Sequence, residues 1–118
     1  SKQLPAILSG KNWTKNALMK RGEQTYNTTC AICHKPDGTG MPPTFPAIKG
    51  GKITLGALPA HIDIVLNGKT GTAMQAFGSQ LSDNDIAAVI TYERNAWGNN
   101  TRSVVQPADI AAARKKTS

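Results

Sequence analysis

Cys30-Ala31-Ile32-Cys33-His34 is the stretch from which the rest of the chain can be read. Two cysteines separated by two residues, with a histidine directly after the second, is the sequence form of covalent c-type haem attachment. The chemistry requires that order. Two thiols add across the two vinyl groups of a haem as thioethers, and the short spacer lets one helical turn present both sulfurs to one porphyrin edge. His34 then lies under the iron and supplies an imidazole nitrogen as proximal ligand. Three other readings are weaker. A thioredoxin-like dithiol needs a βαβ setting, and no strand pattern surrounds this motif. A structural zinc site needs four ligands, whereas the sequence offers one further histidine, His61, and no third cysteine. A structural disulfide would close too short a loop to staple anything.

A chain of 118 residues is one domain. Its apolar fraction of 39% suffices for one core, to which a haem adds a large apolar plate. Both cysteines fall inside the motif, which removes the usual disulfide argument about compartment. No secretory signal and no apolar run of membrane-spanning length is present. Covalent haem attachment in bacteria takes place on the outer side of the inner membrane. The expectation is therefore a mature chain, or an excised soluble piece of something larger, at the periplasmic face of that membrane. The formal charge of +7 is uneven: net +6 over residues 1–60, −2 over 61–100 and +3 in the tail from Thr101. Such a basic surface can steer an acidic partner or sit near anionic lipid, or simply confer solubility. Nucleic acid is disfavoured, because neither aromatic–basic interleaving nor a known binding motif appears.

Residues 1–13 read as a lead-in or linker. From Thr14, a plausible N-cap, a helical pattern through Leu18, Gly22 and Tyr26 predicts a helix to about Thr28 that feeds into the haem motif. A mid-helix glycine costs roughly 1 kcal/mol against alanine, so Gly22 points to close backbone approach by another element. Residues 35–46 hold four prolines and two glycines and predict a loop. That loop can hold His34, because a metal-bound imidazole donates its other N–H to a carbonyl or carboxylate. A backbone carbonyl near Pro42 is the first candidate and Pro43 the second. Pro59 suits the first position of a short helix over Ala60–Asn67, closed by Gly68, with Ile62, Val65 and Leu66 inward and His61 on the outer face. Residues 69–78 read as a second loop. Ser82-Asp83-Asn84-Asp85 resembles a capping box and opens the last main helix, expected to reach Trp97. The tail over 99–118 is either a small helix from Pro107 to Lys116 or a frayed basic terminus.

A haem held by one histidine is left open for gas binding or peroxide chemistry, or closed by a second side chain for electron transfer. Closure by methionine raises the potential and keeps small molecules off the iron. Met19 falls within the first helix. Met41 follows His34 by only seven residues, a tight path around a haem edge to the opposite face. Met74 lies 40 residues beyond His34, in a loop after a helix, and is the expected sixth ligand.

Helix, haem motif, proline-rich loop, short helix, methionine loop and a last helix with an aromatic together resemble a class I cytochrome c over residues 14–98. The resemblance implies an all-α fold whose first and last helices cross around one covalent haem c. Gly22 would meet Tyr92, with Tyr26 nearby. Cys30 and Cys33 would hold the porphyrin, and His34 and Met74 would ligate the iron. A narrower resemblance lies in 61–68, 71–77, 92–99 and 105–109. These segments are similar to the cytochrome c domain fused to subunit II of bacterial haem-copper cytochrome c oxidases. That likeness implies a one-electron module with no substrate turnover of its own, within an oxygen-reducing, proton-pumping oxidase. The donor would be another cytochrome c or a quinol-oxidising complex, and the acceptor the oxidase copper domain. Subunit II also carries membrane helices and a copper domain that this chain lacks, so the chain would be tethered to the membrane through missing upstream segments. The rival readings are a freestanding soluble periplasmic cytochrome c and a haem enzyme or gas sensor with an open iron site.

Overall fold

Thr14 opens the first helix through its side chain, whose Oγ1 accepts the Ala17 N–H at 3.1 Å. A computed structural model describes residues 12–117. The fold is all-α: apart from one isolated Met41–Phe45 bridge, no strand occurs among the described residues. Most of the expected lead-in, residues 1–11, lies outside them.

Helix α1 (Lys15–Thr25) passes into a π-helical turn (Tyr26–Cys30) and then α2 (Ala31–His34). The continuous helix expected to Thr28 is thus replaced by a widened turn. Such insertions re-aim side chains and gather at functional sites. Lys35 stops the run with φ 67°, a left-handed conformation costly for a residue with a Cβ. Its carbonyl accepts the Tyr26 hydroxyl at 2.6 Å, which holds the break in place. Two short helices follow the proline-rich loop. The first, α3 (Lys52–Leu55), was not expected; the second, α4 (Leu58–Asn67), begins one residue before Pro59 and ends at Gly68.

Helix α5 (Asp83–Asn95) begins as its sequence implies, with Ser82 Oγ accepting the Asp85 N–H at 3.1 Å. Asp83 and Asp85 sit in its first turn, where carboxylates suit the helix dipole. The helix ends at Asn95, two residues short of expectation. Trp97, at φ 54°, lies in a 3-10 turn (Ala96–Gly98).

Residues 86–91 are essentially inaccessible, which makes α5 the centre of the core. α1 crosses it at Gly22. A Cβ on residue 22 would stand 2.6 Å from Tyr92 Cβ and against the Ala88 carbonyl oxygen. The mid-helix glycine is therefore the contact point the sequence suggested. Tyr26, one turn on, packs its ring 5.6 Å from Tyr92 and 5.0 Å from Trp97.

The tail forms a helix, α6 (Pro107–Thr117), and does not fray. Val105 and Ile110 are buried against the core. Thr91 Oγ1 accepts the Val105 N–H at 2.9 Å. The Arg114 guanidinium donates to Asp83 and to the Gly78 and Leu81 carbonyls. These partners were invisible in sequence because they lie more than thirty residues away.

Candidate haem site

The π turn and α2 bring Cys30, Cys33 and His34 onto one short stretch of backbone. Both cysteines are half-buried free thiols, not joined to each other. Burial, then the Glu93 carboxylate, pushes the Cys30 thiol well above the ordinary thiol range. His34 is half-buried and its Nδ1 lies 2.8 Å from the Pro46 carbonyl oxygen. A carbonyl only accepts, so Nδ1 carries the proton and Nε2 keeps its lone pair for a metal. The partner is Pro46, not Pro42 or Pro43 as expected. The loop turns back on itself between Met41 and Phe45, which exchange two backbone hydrogen bonds of 2.6 and 2.9 Å. That turn carries Pro42 and Pro43 away to its exposed tip and returns Pro46 to the histidine.

The same loop is fastened to the end of α5. Trp97 Nε1 donates to the Pro36 carbonyl at 3.0 Å. Gly38, at φ 75°, lies under the Trp97 ring, where a Cβ would come within 2.6 Å of the ring carbons. Asn99 accepts the Gly50 N–H at 2.7 Å and donates to the Ile48 carbonyl at 3.3 Å.

Met74 is half-buried and packs on the core from the loop after α4. Its backbone is held on both sides: its N–H donates to Thr72 Oγ1 at 3.2 Å and its carbonyl accepts the Lys69 N–H at 3.1 Å. Beyond it the chain is pinned to α4, with Phe77 N–H on the Val65 carbonyl at 2.9 Å and Gly78 N–H on the Leu66 carbonyl at 3.1 Å. Met41, by contrast, is exposed at the base of its turn. Met19 is half-buried on α1.

His61 was expected on the outer face of its helix and is instead 3% exposed, with Nε2 2.8 Å from Glu93 Oε1. The reason is helical phase. Residues 61 and 65 share a face four apart, and Val65 is buried. Glu93 and Arg94, 4% and 6% exposed, are the residues that sequence reading missed. Two charged groups ending the otherwise apolar run of α5 were the available signal.

The donor set fits a covalent haem. Two free thiols share one turn, one imidazole nitrogen is free, and a thioether sits in a pinned loop. Among the described residues, four of the five large apolar side chains that remain exposed, Ile32, Met41, Ile53 and Leu55, fall between Cys30 and α4. That concentration suits an apolar prosthetic group. Among the described residues no three His, Cys, Asp or Glu side chains converge on an all-protein metal site. Fold and donors together define a c-type haem domain of the class I kind.

Comparison with known proteins places the chain in a family. The family model for the cbb3-type cytochrome c oxidase subunit III matches residues 17–92, and the chain belongs to this cytochrome c family. It is 31% identical to the cytochrome c subunit of alcohol dehydrogenase (quinone) from Gluconobacter oxydans, over 96% of this chain and 28% of the relative. To the cytochrome c subunit of gluconate 2-dehydrogenase from Pantoea cypripedii it is 32% identical, over 80% of this chain and 24% of the relative. The small cytochrome c-554(548) of Halomonas halodenitrificans is 33% identical over 54% of this chain and 80% of its own length. The chain thus spans about a quarter of the dehydrogenase subunits it matches. It is an electron-transfer domain whose cofactor is haem c, carrying iron.

Proposed function

We propose that this chain carries one electron at a time through a single haem c bonded to Cys30 and Cys33 and ligated by His34 and Met74, within residues 14–98. When bound, the haem supplies a reversible ferric–ferrous couple. The chain's own residues do the rest. The Pro46 carbonyl orients His34 and raises its basicity. The Thr72 and Lys69 hydrogen bonds hold Met74 at a set height. Held by both His34 and Met74, the iron would be closed to small molecules, as electron transfer without substrate chemistry requires. The observation that carries this reading is the contrast between the Met74 side chain, packed against the core, and the Met41 side chain, exposed at the base of its turn.

Substitution tests the ligand directly. Met74→Ala should abolish the weak near-infrared sulfur-to-iron band, admit carbon monoxide to the reduced protein and lower the potential. The fall should be at least tenfold in the electron-uptake constant, 59 mV for one electron. Met41→Ala should leave all three unchanged. The reverse pattern would make Met41 the ligand.

The relatives support a place in a longer cytochrome subunit that takes electrons from a dehydrogenase and passes them to a further redox partner. The segments 61–68, 71–77 and 92–99 support a second reading, the haem domain of an oxidase subunit II delivering electrons to a copper centre. Neighbouring genes discriminate: a dehydrogenase subunit favours the first, an upstream dinuclear copper domain in the same reading frame the second. Covalent haem attachment supports a place for either assembly at the periplasmic face of the bacterial inner membrane. Among the described residues no helix is long and apolar enough to cross a membrane. Any tether would belong to the rest of such a subunit.

A further inference from the structure

Three charged or titratable side chains outside the four proposed haem-binding residues are sealed in the core: His61 on α4, and Glu93 and Arg94 on α5. Their hydrogen bonds have a direction. Arg94 can only donate, and its Nη1 lies 3.4 Å from His61 Nδ1, so Nδ1 is the acceptor. The ring proton then sits on Nε2, which donates to Glu93 Oε1 at 2.8 Å. Arg94 is itself tied outward, by Nη2 to the Gly56 carbonyl at 2.9 Å and by Nε to Ser103 Oγ at 2.9 Å. The relay therefore runs from a guanidinium tied to Gly56 and Ser103, through a neutral imidazole, to the Glu93 carboxylate.

Stability alone is a poor reason for this arrangement. Desolvating a carboxylate and a guanidinium costs several kcal/mol each in a protein interior, and apolar residues of similar size often serve as well. The position of the carboxylate suggests another. Glu93 follows Tyr92, whose ring packs on Tyr26, so the last turn of α5 lies against the π turn that ends in Cys30. After burial, the Glu93 charge is the largest influence on both the Cys30 thiol and the Tyr26 phenol, raising each. Cys30 is the residue that would be bonded to the porphyrin edge.

We propose that the Arg94–His61–Glu93 relay sets the reduction potential of this domain by holding an ionised carboxylate in the core beside Cys30. A buried anion there favours the oxidised, more positive state of the iron, and water cannot screen it. Electron uptake adds one negative charge near Glu93 and moves no proton. Glu93 is a tuning residue, since its carboxylate pairs with His61 and not with His34 or Met74. The inference rests on the electron-transfer reading above.

The test is the midpoint potential of the holoprotein, read by spectroelectrochemistry. Glu93→Gln keeps the shape and an acceptor for His61 but removes the charge. Its electron-uptake constant should rise about tenfold, 59 mV for one electron. Glu93→Asp, which keeps the charge, should stay within about threefold of the parent. An unmoved potential in Glu93→Gln overturns the proposal. So does an equal shift in both variants, because packing would then be the cause. A third measurement needs no variant: carbon-13 NMR of the Glu93 carboxyl in the reduced parent protein should show the ionised form, and a protonated acid there overturns the proposal. Loss of the His/Met spectrum in the parent protein would instead defeat the parent reading. A normal spectrum with an unmoved potential defeats only this inference.

Discussion

Replacing Gly22 with alanine should destabilise the domain, although the same change in an exposed helix would stabilise it. Alanine gains about 1 kcal/mol over glycine in a helix interior. Against that gain stands the crossing of α1 and α5. The added methyl would lie 2.6 Å from Tyr92 Cβ and 2.7 Å from the Ala88 carbonyl carbon, with the Ala88 oxygen nearer still. Two of these three atoms belong to backbone, so no rotamer change clears the clash, and the helices must move apart. Overpacking of this kind costs about 1–3 kcal/mol or more. Rigid backbone at the contact puts the cost at or above the upper end. The net loss is about 2 kcal/mol, which for a domain near 100 residues lowers the melting temperature by roughly 8–16 °C. Thermal unfolding of the holoprotein, followed in the far-ultraviolet and at the Soret band, measures it. An unchanged or raised melting temperature would mean that the helices do not meet at residue 22, and the argument for the crossing would fail.

Other outcomes follow from the same contacts. Tyr26 is buried with its hydroxyl on the Lys35 carbonyl, and burial, then Glu93, raises its phenol above the ordinary range. A group whose folded value is raised contributes stability in full below the unfolded value, about 10, and loses it as pH rises further. Melting temperatures of the parent protein should therefore fall more steeply above pH 10 than those of Tyr26→Phe; parallel curves would refute the assignment. At neutral pH the same variant should lose about 1 kcal/mol with the hydrogen bond. Arg114→Ala should release α6 from the Gly78 and Leu81 carbonyls, costing about 1–2 kcal/mol without altering the haem spectrum; an unchanged melting temperature would show that Arg114 is not the latch.

What could be read from sequence was whatever the chain encodes within a few residues. The five residues from Cys30 to His34 point to a chemistry, because two thiols and an imidazole share one short stretch of backbone. Thr14 and Ser82 mark helix starts because a cap acts on an N–H three residues on. Gly22 betrayed a helix crossing because only a close approach justifies a glycine there. Tertiary structure decided the rest. The carbonyl that holds His34 belongs to Pro46, since a reversal between Met41 and Phe45 sets which oxygen returns to the ring. His61 shares the buried face of Val65, but that Glu93 and Arg94, some thirty residues later, would be its partners there was decided by the fold. The tail became a packed helix because Val105 and Ile110 found apolar surface on α5 and Arg114 found distant carbonyls. Short-range hydrogen bonding and covalent chemistry depend on spacing along the chain. The burial of a charge, and what lies opposite it, depends on which distant segments the fold brings together.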